Sequence, residues 1–196
     1  IVSGCYDFPA NYNREWMRSA NFEYILDGNV VDNQEVEIGV YGGCTRIHVA
    51  KSLKIKANKR SGKSKMQYDN FFPARDYKKY KSLALRNGGN GYSYVQPRWR
   101  DMFIQSLGDR MNLDRQMAQP VAFYLNGIFY GMMILTERTN EDYVYHNYGL
   151  DEDEIDFLGV GYSCEAGTKE AYNVMIDYVS KSYTHDDFYD RLATMM

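Results

Sequence analysis

The stretch PVAFYLNGIFYGMMILTER, residues 120–138, decides the fold of this chain. Two apolar runs flank Asn126-Gly127, a dipeptide typical of a type I′ hairpin turn because both residues tolerate positive φ. Both faces of the hairpin are apolar, which predicts that it is packed on both sides and is central to an antiparallel sheet. The second strand ends in Glu137-Arg138. A charged pair at this position is either a hydrogen-bonded structural pair or part of a site.

The composition narrows the class of protein. The 196 residues suit one domain or a piece of a larger one, and 44% hydrophobic with 25% charged residues is typical of globular proteins. A net charge of −3 and a pI near 5.7 argue against a nucleic-acid-binding protein. No apolar run reaches the ~18 residues of a membrane span. Since the chain begins at Ile1 without Met, we expect a processed or excised piece of a protein.

Cysteines and acidic residues give no metal-binding pattern. Cys5, Cys44 and Cys164 are far apart and form no CxxC motif, which leaves either one disulfide with one free thiol or three free thiols. The acidic run at 151–156 lacks the spacing of a calcium-binding loop, so we interpret it as a solvated turn. The sequence therefore predicts no protein-built metal site in residues 1–196.

Local patterns predict the other elements. Apolar alternation predicts strands at 22–26, 35–41, 51–57 and 81–87. Helical spacing and capping residues predict helices at 97–111, 140–148, 169–181 and 186–196. Trp99, Phe103 and Leu107 recur along one side of the first of these helices.

Lys51 is the most unusual residue of the predicted strands. Period-two alternation places it on the same side as Leu53, Ile55 and Ala57. A lysine on an apolar face either snorkels from the strand end or points into a cleft to meet a phosphate or a carboxylate. The pattern leaves both interpretations open.

A glycine-rich bend, GVYGGCTR at 39–46, precedes this strand. Such a bend either brings backbone N–H groups close to a phosphate or forms a plain turn or bulge. Its spacing fits neither the GxGxxG nor the GxxxxGK[ST] phosphate-binding motif.

Four segments in this order and spacing are similar to a known family. They are VYGGCTRIHVAKSLKIKA (40–57), SLALRNGGN (82–90), PRWRDMFIQSL (97–107) and FYLNGIFYGMMILTERTNEDYVYHNYGLDEDEIDFL (123–158). Together they resemble the CotH family, atypical protein-kinase-like enzymes named for a bacterial spore coat protein. The resemblance covers most of the chain from about residue 36 onward.

The resemblance implies an α+β, atypical protein-kinase-like fold. We expect an antiparallel small-lobe sheet with a central hairpin and packed helices, as a fragment of the full fold. Residues 1–35 would form an N-terminal extension, 36–138 a small-lobe-like sheet region, and 139–196 the helical start of the second lobe.

The resemblance also implies a function and a site. ATP and Mg²⁺ would be the cofactors, and the γ-phosphate would pass to Ser or Thr of a protein substrate. Lys51 looks like the phosphate-contacting lysine, and Gly42, Gly43 and Arg46 look like the loop beside the nucleotide. Glu137 is assigned to the nucleotide cleft. The family implies a secreted bacterial protein of the cell surface or spore coat.

The chain departs from the pattern of an active kinase in two ways. It contains no HRD or DFG motif, so the catalytic aspartates are expected beyond residue 196. The bend reads Gly-Gly-Cys-Thr-Arg, where many members have Arg-Gly and small hydroxyl residues. The alternative hypothesis is a non-catalytic surface or coat module that binds a protein or glycan through a tyrosine-rich face, since the chain has 19 tyrosines.

Overall fold

A computed structural model describes residues 10–60, 62–89, 98–108, 111 and 113–195 of the chain. The chain divides into two compact units, Ile1–Thr139 and Asn140–Met196. The described strands are β1 Arg18–Leu26, β2 Asn29–Tyr41, β3 Ser52–Ala57, β4 Met66–Gln67, β5 Lys79–Tyr80, β6 Ser82–Arg86, β7 Ala118–Leu125, β8 Ile128–Glu137, β9 Phe157–Leu158 and β10 Cys164–Ala166. The described helices are α1 Arg100–Leu107, α2 Glu141–Tyr148, α3 Glu170–Ser182 and α4 Phe188–Ala193.

The first unit is built on an antiparallel six-stranded sheet with the order β1-β2-β3-β6-β8-β7. This confirms the α+β class and the antiparallel sheet, while the likeness to kinases stays a prediction. The sheet is curled so that its two edge strands, β1 and β7, come close together. Gln119 on β7 donates a 2.8 Å hydrogen bond to the Tyr24 hydroxyl on β1. The sheet includes β1 and the first half of β2, which the resemblance had predicted to lie in an N-terminal extension.

The concave face of the sheet encloses the core. The segment 66–80 supplies large side chains that are at most 3% exposed: Met66, Phe71, Phe72 and Tyr80. Phe71 packs edge-on against Tyr24 at 5.0 Å and Tyr68 at 5.6 Å between ring centroids. Burial of aromatic area makes this cluster the main hydrophobic contribution to the stability of the unit.

The predicted hairpin is present, but it is not central. Asn126 and Gly127 both have positive φ, 52° and 77°, as a type I′ turn requires. However, β7 is an edge strand, and only β8 has neighbours on both sides. The hairpin tip is solvent-exposed, with Ile128 74% and Phe129 54% exposed. The prediction that the hairpin is central and packed on both faces is therefore wrong, because β7 forms an edge of the sheet and the apolar residues at the tip face solvent.

Helix α1 presents its apolar stripe to solvent. Phe103 and Leu107 are 60% and 57% exposed, whereas Asp101 and Gln105 are half-buried. The stripe that predicted the helix therefore does not identify its packed side. The predicted start of this helix at Pro97 lies outside the described residues.

The second unit confirms several local predictions. The expected capping box over residues 139–142 places the N-cap at Thr139, but the cap lies one residue later, where Asn140 accepts a 3.2 Å hydrogen bond from Tyr143 N. Gly149, the expected C′ residue, ends α2 in the left-handed conformation with φ 72°. The acidic run forms an exposed 3₁₀ turn over Glu152–Glu154, in which Asp151 N donates to Glu154 Oε2 at 2.8 Å. No helix in the described part of the chain is long and apolar enough to span a bilayer.

Of the two cysteine alternatives, the structure has a disulfide. Cys44 is disulfide-bonded, and Cys164 carries a free, exposed thiol.

Candidate functional site

Two connecting segments lie side by side at one end of the sheet. Tyr41, the last residue of β2, pairs with Ser52, the first residue of β3. Leu53 pairs in turn with Leu85, one residue before the end of β6. The segment 42–52 and the turn 86–89 therefore meet, and we call these residues the strand-end site.

Lys51 is held in this site by backbone carbonyls and a ring. Its ammonium donates to the carbonyl oxygens of Arg46 at 2.7 Å and His48 at 2.5 Å, and lies 4.5 Å from the centroid of Tyr12. Its backbone N–H donates to the Tyr130 hydroxyl at 2.9 Å. Burial lowers the pKa of Lys51 from its usual value. No carboxylate among the described residues is paired with it, so its charge is not neutralised there.

Arg46 ties the glycine bend to the N-terminal part of the chain. Its Nε donates to the Gly42 carbonyl, and its Nη2 lies 2.8 Å from Glu15 Oε1. The other Glu15 oxygen accepts from Lys54 at 3.1 Å. Hydrogen bonds from Arg46 and Lys54 hold the pKa of Glu15 below its usual value.

The bend folds as a short 3₁₀ helix over Cys44–Ile47, with Gly43 immediately before it. Gly42 has φ 104°, and a Cβ there would lie 2.5 Å from Thr45 Oγ1, so this turn requires glycine. The structure thus brings together four of the five predicted site residues: Lys51, Arg46, Gly42 and Gly43.

Glu137, the fifth predicted site residue, lies away from the strand-end site. It pairs with Leu83, which pairs with Ile55, four residues and therefore about 13 Å along the strand from Lys51. Its carboxylate is 2% exposed and accepts from Arg75 Nη2 at 2.7 Å, Met117 N at 2.7 Å and the Tyr77 hydroxyl. The adjacent Glu137 and Arg138 were expected to form either a hydrogen-bonded structural pair or part of a site. Glu137 is instead bonded to Arg75, and Arg138 donates to Ser82 Oγ at 3.2 Å. The assignment to a nucleotide cleft stays a prediction.

Asn87 joins the two segments of the site, and sequence reasoning missed it. Its side chain is fully buried, donates to the Ala50 carbonyl at 2.6 Å and accepts from Ser52 Oγ at 3.0 Å and Gly89 N at 2.9 Å. It therefore fixes the backbone on either side of Lys51. An asparagine before two glycines was the available signal, but it indicates a turn equally well.

An ion pair lies on the other face of the same sheet end. Arg86, the last residue of β6, bonds Asp101 in the first turn of α1. The pair lines a small cavity with Gly88, Gln105 and Thr136. In the sequence, Arg86 ends a predicted strand and Asp101 lies near the start of a predicted helix, but their spacing does not indicate that they meet.

The site suits a phosphate better than a metal ion. The cations on its Lys51 face are Lys51 and Arg46, whereas Arg86 is paired with Asp101 on the other face. Glu15 is already bonded to Arg46 and Lys54. Among the described residues, no group of three or more His, Cys, Asp or Glu side chains could hold a metal ion. Mg²⁺ in phosphoryl-transfer sites is bound by one or two carboxylates together with phosphate oxygens and water, so these residues would contact the phosphates and not the metal ion.

Comparison with protein-family models gives a match over most of the chain. Residues 38–195 match the family model described as CotH kinase protein. The matched range includes the whole strand-end site, α1 and the hairpin. No curated protein matches the chain.

Proposed function

Because this chain belongs to the CotH kinase protein family, we propose that it holds the nucleotide-binding part of a CotH-like protein kinase. The enzyme would transfer the γ-phosphate of ATP, with Mg²⁺, to a Ser or Thr hydroxyl of a protein. In line with the family name, we place it at a bacterial cell surface or spore coat.

The partly buried ammonium of Lys51 is the observation that carries this proposal. Phosphoryl transfer depends on positive charge fixed against the phosphates rather than on covalent chemistry by the protein. Lys51 is fixed by two carbonyls and has no carboxylate partner among the described residues. A neutral carbonyl is a weaker acceptor for an ammonium group than a charged phosphate oxygen. Phosphate can therefore displace the carbonyls from Lys51.

The neighbouring residues have distinct roles in this proposal. Arg46 supplies a second cation on the same turn, and Gly42 and Gly43 allow phosphates to approach the backbone closely. Asn87 and Tyr130 keep the backbone around Lys51 in place. The Arg86–Asp101 pair fixes the first turn of α1 against the end of β6.

A nucleotide titration tests the proposal. Calorimetry of this chain with ATP and Mg²⁺ is expected to show saturable binding, and AMP is expected to bind at least tenfold more weakly, because it lacks the β- and γ-phosphates. Equal affinity for ATP and AMP would contradict a site that recognises phosphates. No heat with either nucleotide would contradict nucleotide binding by this chain.

One observation favours the alternative of a non-catalytic binding module. The hairpin tip exposes several large side chains, including Tyr124 at 59%, Ile128 at 74% and Phe129 at 54%. Exposed apolar clusters of this kind mark interaction surfaces. This alternative predicts no binding of ATP with Mg²⁺, and loss of partner binding when Ile128→Ser is introduced at the tip.

A further inference from the structure

A tryptophan stacked with two arginines stands on the surface of the first unit. The guanidinium carbons of Arg14 and Arg18 lie 5.2 Å and 4.8 Å from the Trp16 ring centroid. Trp16 is 43% exposed. The two guanidinium groups are therefore within about 10 Å of each other and accessible to a ligand. We call these three residues the Arg-Trp-Arg surface.

Chain alternation explains why this surface carries uncompensated positive charge. Residues 14, 16 and 18 point one way, whereas Glu15 and Met17 point the other. Met17 packs against Gly39 so closely that a Cβ there would lie 2.6 Å from its sulfur. Glu15, the carboxylate nearest in sequence, is bonded to Arg46 and Lys54. Within the described part of the chain, neither Arg14 nor Arg18 is paired with a carboxylate.

The same segment holds a third cation in the same way. Tyr12, four residues before Trp16, contacts the Lys51 ammonium at 4.5 Å from its ring centroid. Residues 12–18 thus use two aromatic rings to fix three cations. This part of the surface is therefore locally positive, although the whole chain has a net charge of −3.

From this geometry we infer that the Arg-Trp-Arg surface binds an extended, acidic segment of a partner protein. Stacking on the indole ring orders both guanidinium groups before binding, which reduces the entropy lost on binding. Alternate side chains of an extended peptide are about 7 Å apart, so two carboxylates at such positions can reach both groups. A long polyanion such as a nucleic acid is less suited, because the rest of the acidic chain would repel it. The inference goes beyond the proposed function and does not depend on nucleotide binding.

Tryptophan fluorescence gives a direct test. The chain has two tryptophans, so Trp99→Phe leaves Trp16 as the reporter. In this background, a twelve-residue peptide of alternating Glu and Ser is expected to change the emission saturably at 50 mM salt. Binding is expected to weaken at 300 mM salt, because exposed charges are screened. The double variant R14Q/R18Q is expected to bind about tenfold more weakly by calorimetry, because each exposed ion pair contributes modestly.

The matched control removes two charges elsewhere. Lys59 and Arg60 are exposed on a loop, and K59Q/R60Q makes the same change in net charge. It is expected to keep peptide affinity within about twofold. An equal loss in the control would show that only net charge matters and would overturn the inference. Absence of binding by the parent, or tighter binding of polyphosphate or single-stranded DNA than of the peptide, would also overturn it. Unchanged thermal unfolding of both variants would exclude misfolding as the cause.

Discussion

Ser52 and Asn87 exchange two hydrogen bonds across neighbouring strand ends. Ser52 Oγ donates to Asn87 Oδ1 at 3.0 Å, and Asn87 N donates back to Ser52 Oγ at 3.0 Å. Both residues are buried. Together with the bond from Asn87 to the Ala50 carbonyl, this exchange holds the backbone on both sides of Lys51. The position of the proposed phosphate-binding lysine therefore depends on a residue 36 positions later in the sequence.

Asn87→Ala is expected to lower the free energy of unfolding by about 2–4 kcal/mol, because it leaves the Ala50 carbonyl and the Gly89 N–H without their partner in a buried place. Urea unfolding followed by circular dichroism measures this change. Asn33→Ala, at an exposed position of β2, is the control and is expected to cost less than about 0.5 kcal/mol. Equal losses in the two variants would contradict the joining role of Asn87.

Glu137→Gln is expected to lower the free energy of unfolding by about 3–5 kcal/mol, because it removes the buried negative charge that accepts hydrogen bonds from the half-buried Arg75 guanidinium, the Tyr77 hydroxyl and Met117 N. The same urea measurement applies, and the exposed Glu35→Gln serves as its control. If Glu137→Gln left stability unchanged but abolished ATP binding, the carboxylate would belong to the nucleotide site instead.

Asp32→Asn is expected to stabilise the protein at pH 7. The Asp32 side chain is 2% exposed, and burial raises its pKa, opposed by Lys63 at 3.9 Å. Since the folded-state pKa exceeds the usual value of 3.8, Asp32 favours folding below pH 3.8, and this contribution is lost as pH rises through the folded-state pKa.

Unfolding curves of the parent and Asp32→Asn between pH 4 and pH 7 test this sign. The stability advantage of the variant is expected to be largest at pH 7 and to shrink towards pH 4. Exposed Asp69→Asn controls for the loss of one carboxylate. A variant less stable than the parent at pH 7 would contradict the proposed cost of burying this charge.

Features set by neighbours in sequence could be predicted. The Asn126-Gly127 turn and the left-handed Gly149 follow from local backbone preferences, and the start of α2 was predicted to within one residue of its cap at Asn140. Alternation also placed Leu53 and Ile55 correctly in the core. These predictions needed no knowledge of distant parts of the chain.

Features set by distant residues could not be predicted. Glu137 meets Arg75 from 62 positions away, and Arg86 meets Asp101 across a segment outside the described residues. The apolar pattern of the hairpin wrongly predicted that both of its faces are covered, because periodicity shows which residues share a face but not what that face contacts. For Lys51 the pattern gave the side of the strand, while its partners, two carbonyls and the Tyr12 ring, required the tertiary structure.

The most direct test of the nucleotide-binding proposal is a calorimetric titration of ATP with Mg²⁺ into Lys51→Met and Lys56→Met. Lys56 is an exposed lysine on the opposite side of the same strand, so its replacement makes the same change in charge away from the site. Lys51→Met is expected to weaken ATP binding at least tenfold, and Lys56→Met to leave it within about twofold of the parent. ATP affinity in Lys51→Met equal to that of the parent would contradict the assignment of Lys51 to the phosphates.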